Sequence, residues 1–190
     1  YEVHETTPDY EGVVQVERDR PDPAPDEACV RIRACSLNYR DLAIASSELV
    51  YPGVDLPVVP LSDGAGEVVA VGDDVSGVTE GDRVATPFAP NWIDGPSTPE
   101  KVRHSTGGNV DGALAEYATF PAESLTTLPD HLSYEQGATL SCAGLTAWRA
   151  LAEDGDLGAG ESVLALGTGG VSTFALQFAK IHGATAVVTS

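Results

Sequence analysis

The chain has 190 residues, 42% of them hydrophobic, with 29 acidic against 10 basic residues for a formal net charge of −19. That is enough apolar material for one or two packed domains, while so acidic a surface repels nucleic acid and anionic membranes, and neither is expected as a partner. No apolar run approaches the ~18–20 residues of a membrane span and no charged-then-apolar leader is present, so a cytoplasmic protein is expected.

The chain opens at Tyr1 and holds no Met, from which a start further upstream is expected. Its acids are scattered singly through apolar segments, a pattern that reads as a solvated shell on a folded protein rather than a disordered tail. Only Lys101 and Lys180 are lysines. Many acids with almost no Lys resemble the surfaces of proteins from salt-loving organisms, so a halophilic source and a fold that needs molar salt to screen its own repulsion are expected. Cys29, Cys35 and Cys142 form no close-spaced redox or metal pair and read as reduced thiols.

The first stretch is β-rich. Val13–Val16, Cys29–Ala34, Glu67–Val71, Arg83–Ala85 and Ala115–Phe120 are short runs rich in Val, Ile or aromatics. They are separated by turn signals such as Arg20-Pro-Asp-Pro23 and Glu80-Gly-Asp82. Short strands with long connections predict a partly closed barrel. Residues 87–112, rich in Pro and Gly and without periodicity, read as a lobe or long loop.

The pattern changes near Pro129. Ser133-Tyr-Glu-Gln136 fits a capping box, and small apolar residues from Ala138 to Ala152 read as a helix that Gly144 allows to break. Ser162–Leu166 (SVLAL) reads as a buried parallel strand. Val171, Phe174, Ala175, Phe178 and Ile181 then recur at helical spacing up to Gly183, and Thr185–Thr189 reads as a second buried strand. A strand, a glycine turn, a helix and a strand within ~30 residues satisfy the context of a dinucleotide fingerprint. Gly167 permits the tight turn; Gly169, Gly170 and Val171 open a helix whose positive end suits a pyrophosphate. Ser172 stands where the third glycine of that fingerprint falls.

Six ordered segments carry a resemblance: Asn38-Tyr-Arg-Asp-Leu42, Pro60-Leu-Ser-Asp-Gly-Ala-Gly-Glu-Val68, Gly81-Asp-Arg-Val84, Gly112-Ala-Leu-Ala-Glu-Tyr117, Cys142-Ala-Gly-Leu-Thr146 and Gly167-Thr-Gly-Gly-Val171. Together they resemble the medium-chain dehydrogenase/reductase superfamily. The resemblance implies a β-rich GroES-like barrel domain over residues 1–127, followed by the start of an α/β Rossmann domain over 128–190, truncated after its second strand. It implies an oxidoreductase with a small-molecule substrate, and a homodimer at full length.

Zinc alcohol dehydrogenases of that superfamily hold their catalytic metal with a Cys, a His and a second Cys. The matching positions here are Asn38, Ser62 and Cys142, with Asp63 beside Ser62. Cys35 reads as a small buried hydrophobe, and residues 87–112, where a structural zinc lobe would lie, contain no Cys. No zinc is therefore expected. Asn38-Tyr-Arg-Asp-Leu42 instead resembles the zinc-independent branch of quinone oxidoreductases and enoyl reductases, in which hydrogen-bond donors replace the metal. Asn38, Tyr39 and Tyr51 are the candidate catalytic donors, Tyr51 matching the place of a proton-donating Tyr in some enoyl reductases. Asp41 fixes the local turn or pairs with Arg40. Thr146 matches a position that touches nicotinamide.

The residue expected to end the second strand is Ser190 rather than the acid that binds a ribose 2′-hydroxyl in NAD enzymes, which favours NADPH over NADH. The expected activity is NADPH-dependent hydride transfer to a quinone, enone or carbonyl. A metal-free alcohol dehydrogenase and a nonenzymatic NADPH-binding protein on the same fold are the alternatives.

Overall fold

The computed structural model describes residues 1–49 and 51–189, and the chain divides into two compact units, Tyr1–Ser141 and Cys142–Ser190. In the first, β1 (Glu2–Val3) and β2 (Val13–Val14) form a short antiparallel ladder. Next come β3 (Glu27–Ser36), α1 (Tyr39–Ala45), β4 (Asp63–Val71) and β5 (Arg83–Ala85). The short helix α2 (Pro99–Val102) lies in the lobe, followed by β6 (Tyr117–Pro121) and β7 (Thr126–Thr127).

The sheet runs β6-β3-β4-β5-β7, antiparallel throughout. The expected barrel is thus an open five-stranded sheet: among the described residues no ladder joins the edge strands β6 and β7. A two-residue edge strand with exposed threonines offers little to pair with. The sheet is nevertheless strongly shaped. Register shifts between Cys29 and Val30 and between Ile32 and Ala34 place bulges in β3, which bend a strand and increase its twist.

Ala28, Val30, Val68, Val84 and Phe120 form the main core, each at most 3% exposed. A second cluster of Val3, Ile44, Ala45 and Val58 seats α1, with Tyr51 packed against it. Burying an aliphatic side chain of this size contributes about 1.5–3 kcal/mol, so Ile44 is a principal anchor of α1.

The first compact unit runs to Ser141. Leu128 and Ala138 pack against Ala65 and Ala85, which ties the following segment to the sheet. The capping box is present: Ser133 Oγ accepts from the Gln136 N–H at 3.3 Å, and Gln136 Oε1 accepts from the Ser133 N–H at 2.9 Å. It starts only a short helix, α3 (Tyr134–Gly137). The helix expected from Ala138 to Ala152 is broken: two π-turns, Leu140–Gly144 and Arg149–Glu153, flank α4 (Leu145–Trp148). Small side chains and Gly144 give the backbone the latitude for this wider turn.

In the second unit, β8 (Ser162–Leu166) and β9 (Thr185–Thr189) pair in parallel, joined by α5 (Gly170–Ile181). Gly183 takes φ +72 just beyond α5, a left-handed stop that favours glycine. Trp148 meets Phe178 edge-to-face at 5.4 Å and His182 at 5.6 Å, fastening α4 to the C-terminal end of α5. The two strands are not buried on both faces as their apolar composition predicts. Ala165 is 7% exposed, whereas Leu164, Leu166 and Val187 are 62%, 74% and 53% exposed. The residues alternate because α5 covers one face of the ladder and no described residue covers the other. No described helix is long and apolar enough to cross a membrane.

Candidate functional site

Asn38 ends the extended run after β3 and caps α1 with φ −122 and ψ 157. Asp41 Oδ2 accepts from the Asn38 N–H at 2.7 Å, and the Asp41 N–H donates to the Asn38 carbonyl at 3.0 Å. Asp41 therefore fixes the turn, one of the two roles expected of it. At 7% exposure, burial raises its pKa, and the contact with Asn38 and the charge of Arg40 act against the shift. The turn leaves two buried polar atoms without a partner, Asn38 Nδ2 and Asp41 Oδ1. Tyr39, first in α1, is 73% exposed, so it is not a packed ring and its phenol faces solvent.

Tyr51 is half-buried, and its hydroxyl oxygen accepts from Arg40 Nε at 3.3 Å. The Arg40 guanidinium lies over the Tyr51 ring at 5.1 Å and over the Phe88 ring at 4.6 Å. It also donates to the Thr106 carbonyl at 2.8 Å and to Ser105 Oγ at 3.3 Å. Thr106 is fully buried with its own hydroxyl unpartnered. Sequence reasoning treats Arg40 only as a possible partner of Asp41. The contacts that make it a junction come from residues 51, 88, 105 and 106, and no local spacing announces them.

Ser62 and Asp63 are both fully buried, and Ser62 Oγ donates to Asp63 Oδ1 at 2.7 Å. Thr86 Oγ1 braces the same strand start, accepting from the Gly64 N–H at 2.8 Å and donating to the Ser62 carbonyl at 2.9 Å. Cys35 corrects the expectation of a buried hydrophobe. The residue is exposed on the end of β3, which has no neighbour from β6 at that point, and its thiol donates to the Ala113 carbonyl at 3.0 Å. Crowding around the sulfur, with the charge of Asp63 adding to it, pushes that thiol up to about 11, so at neutral pH it is a poor metal ligand.

Among the described residues no three His, Cys, Asp or Glu side chains converge as metal ligands. At the positions that the resemblance matches to zinc ligands, the amide of Asn38 and the Ser62 hydroxyl, committed to Asp63, are not the thiolate and imidazole donors a zinc takes.

In the second unit the glycine turn joins β8 to α5. Gly167 has φ +82, and a Cβ added at Gly167 or Gly169 would meet nothing within 4 Å. The turn therefore offers open space in front of a twelve-residue helix whose first N–H groups have no intrahelical acceptor. Gly170 is tighter, since its Cβ would stand 3.0 Å from the Ala143 Cβ. Ser172 Oγ donates back to the Leu166 carbonyl at 3.1 Å, closing the turn as a small residue can. Val171 is 43% exposed on the first turn, and Thr146 is exposed on α4. These residues fit a pyrophosphate. Ser190 lies outside the described residues.

Residues 24–130 match the alcohol dehydrogenase GroES-like domain. The whole chain is 44% identical to a zinc-type alcohol dehydrogenase-like protein of Schizosaccharomyces pombe, covering 56% of it. Over 85% of its length it is 37% identical to a quinone oxidoreductase of Pseudomonas aeruginosa, covering 43% of that protein. The Escherichia coli quinone oxidoreductase solved in complex with NADPH superposes with a TM-score of 0.78 at 28% identity, over 98% of this chain and 51% of that one. The chain spans about half the length of the relatives it matches.

Proposed function

The chain belongs to the family of alcohol dehydrogenase GroES-like domains, and from that premise we propose that the protein is an NADPH-dependent oxidoreductase that reduces a quinone, enone or carbonyl without catalytic zinc. The observation that carries this reading is the buried, unpartnered Nδ2 of Asn38, a residue that the resemblance matches to a metal ligand of the zinc enzymes. A buried amide N–H without an acceptor costs about 1–3 kcal/mol. A substrate or nicotinamide oxygen that accepts from it recovers that cost, which turns a defect of the free protein into a recognition element.

The roles divide by unit. The turn of Gly167, Gly169 and Gly170, with Val171 on the first helical turn, holds the dinucleotide's phosphates through backbone N–H groups. Thr146 is assigned to the nicotinamide. When bound, the cofactor supplies the hydride. Asn38 and Tyr39 donate hydrogen bonds to the oxygen on which charge develops, in the manner of an oxyanion hole. Tyr51 supplies the proton that completes reduction, from an O–H whose oxygen already accepts from Arg40. Preference for NADPH rests on Ser190, where a carboxylate would repel the 2′-phosphate and a serine does not.

The test is NADPH oxidation by the full-length protein against a panel of quinones, enones and aldehydes, with Asn38→Ala beside the wild type. Turnover with at least one acceptor class, reduced about 10–1000-fold by the substitution, supports the reading. NADPH binding without turnover on any acceptor would favour a nonenzymatic binding protein. NAD-dependent alcohol oxidation as the sole activity would reverse both the direction and the cofactor.

A further inference from the structure

We infer that Arg40 is a positioning residue for Tyr51, fixing the phenol so that its proton points away from the protein framework and toward the reacting group. The inference rests on Tyr51 being the proton donor proposed above.

A guanidinium has five N–H donors and no acceptor, so in the contact at 3.3 Å Arg40 must donate and the phenol oxygen must accept. The Tyr51 O–H is then left to donate elsewhere, and among the described residues none accepts it. Arg40 is itself immobilised from three sides. Its stem rises from α1, which Ile44 anchors in the core; its Nη1 is held by the carbonyl of fully buried Thr106; and its guanidinium carbon lies over the Phe88 ring, 4.6 Å from the centroid. Thr106 is in turn tied to Phe88, its N–H donating to the Phe88 carbonyl at 3.0 Å.

Two other arginines show what plain packing looks like in this chain. Arg20 lies over the Tyr117 ring and Arg83 over the Tyr134 ring, at 5.1 and 4.7 Å. Both donate to backbone carbonyls, of Val69 and of Asp130 and Leu132, and neither donates to a phenol oxygen. Arg40 alone of the three adds the contact to the hydroxyl. It also forms no ion pair among the described residues, because the neighbouring Asp41 turns one oxygen to the Asn38 N–H. With no carboxylate to compete for it, the guanidinium keeps its Nε–H on the phenol.

The test uses the full-length enzyme with NADPH and the best acceptor, comparing Tyr51→Phe, Arg40→Met, Arg40→Lys and the Tyr51→Phe/Arg40→Met double variant. If Arg40 acts through Tyr51, Arg40→Met lowers kcat about 100-fold, as Tyr51→Phe does, while KM for NADPH holds. The double variant is then no slower than Tyr51→Phe, and Arg40→Lys, which keeps a charge and a donor, recovers part of the loss. Equal multiplicative losses in the double variant, or an unchanged kcat in Arg40→Met, would overturn the inference and leave Tyr51 as the donor. An unchanged kcat in Tyr51→Phe would overturn the proton-donor reading and the inference with it. Should Arg40→Met fail to fold, Arg40→Lys decides alone. Its solvent isotope effect on kcat should rise as proton transfer becomes slower, and an unchanged effect with unchanged kcat contradicts the inference.

Discussion

The two units of this chain each carry a candidate binding element, and they build it in opposite ways. Around α1 the site consists of side chains locked into a framework: Asp41 holds the Asn38 turn, and Arg40 joins Tyr51, Phe88 and Thr106. Between β8 and α5 the site depends on the lack of side chains, where two glycines leave open space before a helix N-terminus. The supporting sheets differ in the same sense. Val30, Val68 and Val84 of the five-stranded sheet are at most 1% exposed, while Leu164 and Leu166 of the parallel pair are 62% and 74% exposed. Side-chain chemistry needs a rigid, dry support, because a donor displaced by an ångström loses its partner. A backbone cradle needs only correct dihedrals and room.

This contrast is sharpest in stability. Ile44→Ala should cost about 2–5 kcal/mol, because the side chain is 1% exposed and the site cannot fully collapse. Leu166→Ser, on the open face of β8, should cost less than about 0.5 kcal/mol. Urea denaturation of the chain would show it, and comparable losses from both substitutions would erase the distinction between the two supports.

The next largest effect concerns the cradle. Gly169→Val adds a side chain where a Cβ meets nothing, so the thermal midpoint should hold. The same side chain fills the space assigned to phosphate, and NADPH affinity of the full-length protein should fall by about tenfold or more, some 1.4 kcal/mol. An unchanged affinity with an unchanged midpoint would show that phosphate sits elsewhere.

The smallest effect is a pH dependence. Burial holds the Asp41 carboxyl above its usual 3.8, so folding favours its protonated form. That contribution is complete below the unfolded value and is lost as pH rises through the folded one. Asp41→Asn cannot ionise, so its stability relative to the wild type should climb as pH increases from 3.8 upward. Parallel stability-against-pH curves for the two proteins would refute the assignment.

The legible parts of this molecule were those written in local pattern. SVLAL, the helical spacing after Gly170 and TAVVT gave β8, α5 and β9, because period and turn chemistry act over a few residues. The Ser133 capping box was legible for the same reason, but the helix it opens broke into π-turns that small side chains permit and no pattern enforces. Apolar composition predicts two buried faces for β8 and β9, but it records what a strand can face, not what covers it. At the site, Asn38 and Tyr51 could be singled out by resemblance. The Arg40 junction could not, since its partners come from segments up to residue 106, and only the folded chain assembles them.

Under the proposed function, hydrogen-bond donors of the first unit do the work a metal does elsewhere in the family. Its most direct measurement is the NADPH-dependent reductase activity of the full-length protein before and after exhaustive chelation, with the metal content determined in parallel. Full activity at far below one zinc per chain is the predicted result. Near-stoichiometric zinc whose removal abolishes turnover, and whose return restores it, would contradict the account.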